Sequence, residues 1–139
     1  MLNFPYEKEQ HDSLGDHRQM TSKVIISSNG TIEVYTHTAT AKAWEGFHGR
    51  VVVTLRDGDG NFVYQTKARQ YGVDGVKLGK PSRNDSFIET IPSEKLSLIS
   101  KCDIKHDRSK EELSINQLVE WARAIRDLIP ENQPAGAPV

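Results

Sequence analysis

The sequence predicts a mainly β, α+β chain: an antiparallel β-sandwich or strongly twisted sheet of about six strands, packed against one C-terminal helix. Three observations predict it. Apolar and polar residues alternate through much of the stretch from Lys23 to His106. Asn29-Gly30 and Asp57-Gly58-Asp59-Gly60 interrupt that alternation where hairpins would reverse. A stripe of helical period then runs up to Pro130. The 139 residues suit one domain, and a chain of this size buries about two-thirds of its extended surface on folding.

Residues 1–20 are polar and carry neither period, so they read as a flexible N-terminal arm. Met20-Thr21-Ser22-Lys23 would also serve as a start, with the first 19 residues an extension. The ordered domain is expected at 21–129. Its first hairpin joins Val24–Ser28 to Thr31–Thr36. Asn-Gly tolerates the two positive φ angles of a type I′ turn. Pairing Ser28 with Thr31 then sets Ile25 opposite Val34 and Val24 opposite Tyr35.

The second hairpin joins Arg50–Arg56 to Asn61–Thr66, with Gly60 left-handed in the turn. Pairing Arg56 with Asn61 sets Leu55 opposite Phe62, Val53 opposite Tyr64 and Val51 opposite Thr66, one continuous apolar face; a one-residue slip would bury charge. Ser86–Ile91 is a short strand closed by Pro92. Leu96, Leu98, Ser100, Cys102 and Ile104 alternate with polar residues, which predicts a long half-buried strand over 93–106. The alternative is a helix starting at Ser93, with Leu96 and Ile99 inward.

The helix over 114–129 has a capping box in Ser114 and Gln117, or in Ser109 and Glu112. Leu118, Trp121, Ala122, Ile125, Leu128 and Ile129 form its apolar face, which calls for a sheet beneath it. Pro130 ends it, and residues 130–139 form a disordered, Pro-punctuated tail.

Charge and targeting narrow the function. Eighteen basic and 19 acidic residues give a net charge of −1, which argues against nucleic acid as a partner. Residues 42–83 carry eight basic residues against four acidic ones, which leaves room for a small anionic ligand. The lone Cys102 forms no internal disulfide, and no cationic leader or membrane-length apolar run occurs. A cytoplasmic location away from membranes is the expectation.

Each chemical motif fails on spacing. Asp57-Gly58-Asp59-Gly60-Asn61 starts like a calcium loop, but Phe62 and Ala68 stand where Gly and Glu are required. Gly75-Val76-Lys77-Leu78-Gly79-Lys80-Pro81-Ser82 has three residues between its glycines where a phosphate loop has four, and Pro81 follows the lysine. Cys102 and His106 share a strand face about 13 Å apart, too far for a thiolate–imidazole pair. His11, Asp12, Asp16 and His17 match no metal-ligand spacing, and His37 sits alone at a strand end. No metal or cofactor is expected.

What remains is a non-catalytic intracellular binding or interaction module, for an unidentified protein or a small anionic ligand. Trp44, Phe47, His48 and Tyr71 are its candidate aromatic platform, although Trp44 or Phe47 could instead plug the end of a sandwich. Lys77, Lys80 and Arg83 are its candidate cations, in a loop of about 14 residues from Gly72 to Asp85. One alternative is a small enzyme assembled from scattered residues such as His48, Arg69, Tyr71 and Asp74. A second is a weak nucleic-acid binder using the basic stretch with Tyr64 and Tyr71. A homodimer through an unpaired edge strand is a further partner expectation.

Overall fold

The computed structural model describes residues 2–41, 46–73 and 81–128. In chain order its elements are β1 (Tyr6–Ser13), β2 (Arg18–Ile26), β3 (Thr31–Thr40), β4 (Phe47–Arg56), β5 (Phe62–Gln65), β6 (Arg69–Val73), β7 (Ser82–Thr90), α1 (Ser93–Leu96), β8 (Lys101–Ser109) and α2 (Ile115–Arg126). They build two antiparallel sheets and a helical layer. The first sheet has the order β1-β2-β3-β7. In the second, β8 lies along one side of β4, and β5 and β6 follow each other along the other side.

Alternation decides which face of each strand is buried. Met20, Val24 and Ile26 of β2 and Ile32 and Val34 of β3 point into the sandwich. They meet Val51, Val53 and Leu55 of β4, Val63 of β5, and Cys102 and Ile104 of β8. β4 is buried on both faces, because α2 covers Val52, Thr54 and Arg56 from behind. The cover is polar as well as apolar. Gln65 Nε2 bridges Thr54 Oγ1 and the Ala122 carbonyl, both at 2.9 Å. The Arg50 guanidinium lies 4.8 Å from the Trp121 ring centre. Ser114 and Gln117 form the expected capping box at the start of α2, and Leu118 and Ala122 are its buried residues. The expected stop at Pro130 and the tail at 130–139 lie outside the described residues.

Several expectations need correction. The predicted arm at residues 1–20 holds β1, paired with β2 from Tyr6↔Ile26 to Ser13↔Gln19. Met20 is fully buried inside β2 and not at a boundary. Half of β1 is charged, so it lacks the apolar alternation that marks a strand; its inward positions are instead filled by Tyr6, Lys8, Gln10 and Asp12. The Lys8 ammonium donates to the Cys102 carbonyl at 2.5 Å. Such an inward charge and a charged outer edge discourage strand addition.

Both hairpin registers differ by a residue or more. In the first, Val24 faces Val34 and Ile26 faces Ile32. The turn holds three residues, closed by Ser27 N–H to the Thr31 carbonyl (2.9 Å) and Gly30 N–H to the Ser27 carbonyl (3.0 Å). Gly30 takes φ +91°, which one left-handed glycine permits without the second positive φ of a type I′ turn. In the second hairpin Leu55 faces Tyr64, and a bulge at Leu55/Arg56 turns Val63 inward and leaves Phe62 44% exposed. Gly60 is left-handed as expected, at φ +88°. Residues 93–106 divide between the two predictions. A short helix runs from Ser93 to Leu96, Ile99 is fully buried, and β8 begins at Lys101.

Side-chain straps close both flanks of the sandwich. On one, Lys8 and Asp12 of β1 reach β8. On the other, the Glu89 carboxylate accepts from Tyr64 Oη (2.6 Å) and Lys67 N–H (3.0 Å), and pairs with Arg69 at 3.6 Å. The outer face of the β1-β2-β3-β7 sheet has no such cover among the described elements.

Candidate functional site

The predicted aromatic and cationic surface comes together only in part. Phe47 is 2% exposed and forms one end of the sandwich interior, with the Arg18 guanidinium 5.7 Å from its ring. It plugs the core and cannot serve as a platform. Gly49 faces Tyr71 and Val51 faces Arg69 across β4 and β6, so Tyr71 and Arg69 share the inward face with Val51. His48 faces Gly72 and therefore stands on the opposite side of the sheet, against the glycine. An enzyme site uniting His48 with Arg69 and Tyr71 loses its histidine to the pleat. Trp44, Asp74, Lys77 and Lys80 lie outside the described residues.

Arg83 does meet Tyr71, with its guanidinium 5.4 Å from the ring. It is already engaged, however. It donates to both Asp85 oxygens (2.7 and 2.8 Å) and to the Gly72 carbonyl at 2.9 Å. The Asp85 carboxylate raises the guanidinium's pKa and neutralises it locally. Little of this cation is left for an anionic ligand.

A second constellation escapes sequence reading. Ser22 Oγ lies 2.7 Å from His106 Nε2, and His106 Nδ1 lies 2.7 Å from Asp12 Oδ2. A carboxylate only accepts, so Nδ1 carries the proton and Nε2 of the neutral ring accepts from the Ser22 hydroxyl. Thr36 Oγ1, 2.7 Å from Ser22 Oγ, then donates to that oxygen. These are the contacts of a serine–histidine–carboxylate relay. Access is what it lacks. Ser22 and the His106 side chain are fully buried between the sheets, leaving no room about 3 Å from the hydroxyl for a reacting carbonyl. The relay ties β8 to β1, β2 and β3. Burial, the largest cause, lowers the His106 pKa despite the opposing pull of Asp12.

Neither cysteine nor metal chemistry emerges nearby. Cys102 is buried on the same strand face, and burial pushes its thiol up to about 12, so it stays protonated. Asp57 accepts the backbone N–H groups of Asp59 and Asn61, each at 2.9 Å, which makes its loop a hairpin turn. Among the described residues no three His, Cys, Asp or Glu side chains could together hold a metal ion.

An exposed cleft lies on the outer face of the β1-β2-β3-β7 sheet. Strand register sets out two rungs across the outer face of the β1-β2-β3-β7 sheet. Glu9, Lys23, Tyr35 and Ser86 form one; His11, Thr21, His37 and Asn84 form the next. Between them is an open cleft of about 420 Å³, to which every one of these except His11 contributes. Its side chains are held in place. His11 Nδ1 lies 2.6 Å from Thr21 Oγ1, His37 Nδ1 lies 2.8 Å from Asn84 Oδ1, and Tyr35 Oη donates to Glu33 at 2.9 Å. That last bond raises the Tyr35 pKa, so the phenol remains protonated.

No family model matches the chain, and neither a curated protein nor a solved structure does. His37, which stands alone in the sequence, acquires neighbours only through strand pairing. Asp12 was hidden because its stretch reads as an arm. The available signal was the outward set Thr21, Lys23, Tyr35 and His37, which the alternation of the first hairpin already exposes.

Proposed function

We propose that this chain is a non-catalytic binding module whose ligand face is the outer surface of the β1-β2-β3-β7 sheet. One observation carries the reading: a cleft drawing on all four strands lies on the sheet face that neither α2 nor the other sheet covers. Its size falls within the range of about 300–1,000 Å³ typical of small-molecule sites. Its lining combines one exposed ring with donors and acceptors on rigid strands, which suits recognition and supplies no accessible nucleophile–base pair. The same reading favours a small polar ligand over an anionic one, because Arg83 is engaged with Asp85. A cytoplasmic setting is part of the same proposal. No helix among the described residues is long and apolar enough to cross a membrane.

The test is ligand-observed NMR of the full chain against mixtures of sugars, amino acids, carboxylates and nucleotides. Ligands are expected whose signals depend on Tyr35 and survive Tyr71→Ala. The reading falls if no class binds, or if binding is lost in Tyr71→Ala and kept in Tyr35→Ala.

A further inference from the structure

Resting on that binding-module reading, we infer that the outer-face cleft is a saccharide site, in which one or two pyranose rings lie against Tyr35. The orientation of the tyrosine is the first argument. Its hydroxyl reaches Glu33, two residues away on the same strand face, so the ring lies along the strand and turns a flat side outward. It is 45% exposed, and leaning toward Glu33 it opens the space between itself and His37. A pyranose offers the complementary surface: an apolar face of C–H groups for the ring and a rim of hydroxyls.

The surroundings of the ring match that rim. Glu9 accepts, Lys23 donates, and Ser86 does both. When His37 donates Nδ1–H to Asn84 Oδ1, the Asn84 amide N–H₂ is left to donate and His37 Nε2 to accept. Hydroxyl groups, each donor and acceptor at once, can satisfy all of these without bringing a charge. Charged ligands fit less well. The outer face sets three carboxylates, Glu7, Glu9 and Glu33, against the Lys23 ammonium, which repels anions. An organic cation would want an aromatic cage, and Tyr35 is one ring whose neighbouring carboxylate, Glu33, already holds its hydroxyl.

The experiment is a titration of the ¹⁵N-labelled full chain with maltose, cellobiose and lactose, followed by backbone amide shifts. Inorganic phosphate and choline serve as charged probes. At least one disaccharide is expected to shift the amides of Lys23, Tyr35, His37 and Ser86 in a saturable way. Tyr35→Ala should weaken that binding about tenfold or more, while Tyr35→Phe, which keeps the ring, should retain most of it. The side chain is exposed, so both variants should fold, as their unshifted core amides would report. Saccharide binding that is unchanged in Tyr35→Ala overturns the inference. So does a response of these amides to phosphate or choline alone, although the binding-module reading then survives. Silence toward every probe overturns the saccharide inference, and the broader ligand screen then decides the module.

Discussion

Arg56 is the residue on which two layers of this protein depend. Its side chain is 6% exposed, and each nitrogen has a partner: Asp103 at 3.3 Å, the Gly60 carbonyl at 3.3 Å, and the Ile125 and Arg126 carbonyls at 3.2 and 3.0 Å. The last two lie at the negative end of α2, where the Ile125 carbonyl also accepts from Leu128 N–H at 3.2 Å, so one guanidinium both caps the helix and docks it on β4. Arg56→Met is expected to cost about 3 kcal/mol, since hydrogen bonds to a buried charge are each worth about 1.5–3 kcal/mol in truncation experiments. Urea unfolding measures it, and a loss within error of zero would show that α2 docks without this contact. His106 gives a second prediction at this scale. Burial lowers its pKa below the ordinary 6.5, so the native chain binds fewer protons than the unfolded chain in that region. Its contribution to stability is therefore complete above 6.5 and declines as pH falls toward the native value. Wild type should lose stability on acidification more steeply than His106→Gln; equal slopes between neutral pH and pH 5 would remove His106 as the cause.

Among the elements, β1 is the one whose importance exceeds its sequence signal. It covers the edge of β2 through a register of eight residue pairs, places Lys8 and Asp12 against β8, and follows Leu2, whose N–H bonds to the Ile99 carbonyl at 3.1 Å. Leu2, Phe4, Tyr6 and Leu14 pack on the core. A chain begun at Met20 should therefore fail to unfold cooperatively and should bind a hydrophobic dye, while the full chain does not. A sharp transition in the shortened chain would show that β1 is dispensable. The strands on either side of Asn29-Gly30 were legible because their alternation is apolar; β1 was not, because its inward positions carry amphipathic and charged side chains. The capping box of α2 was legible for a different reason. Ser114 and Gln117 satisfy each other's backbone within one turn, so no distant partner is needed.

For the molecule as a whole, the mainly β sandwich with a C-terminal helix and its two hairpins were readable, and the strand count, the registers and the long-range pairings were not. Among the described residues eight strands stand where about six were expected, because β1 lacks an apolar stripe and β5 and β6 divide what looked like one strand plus loop. The candidate site was legible only as fragments. Phe47 was identified as an aromatic of note, yet whether it faces ligand or core depends on the pleat of β4 beneath Arg18. The outer-face cleft needs β7 to bring Asn84, 47 positions beyond His37 in the sequence, beside that histidine. Local periodicity, turn chemistry and the helix cap act over a few residues, so the sequence by itself determined the layers: alternating strands, reversing turns and an amphipathic helix that needs a sheet. Register, the closing straps and the buried Ser22–His106–Asp12 relay join residues as many as 94 positions apart. Only the tertiary structure decided those, since the free energy of a cross-sheet contact depends on which side chains packing has made neighbours.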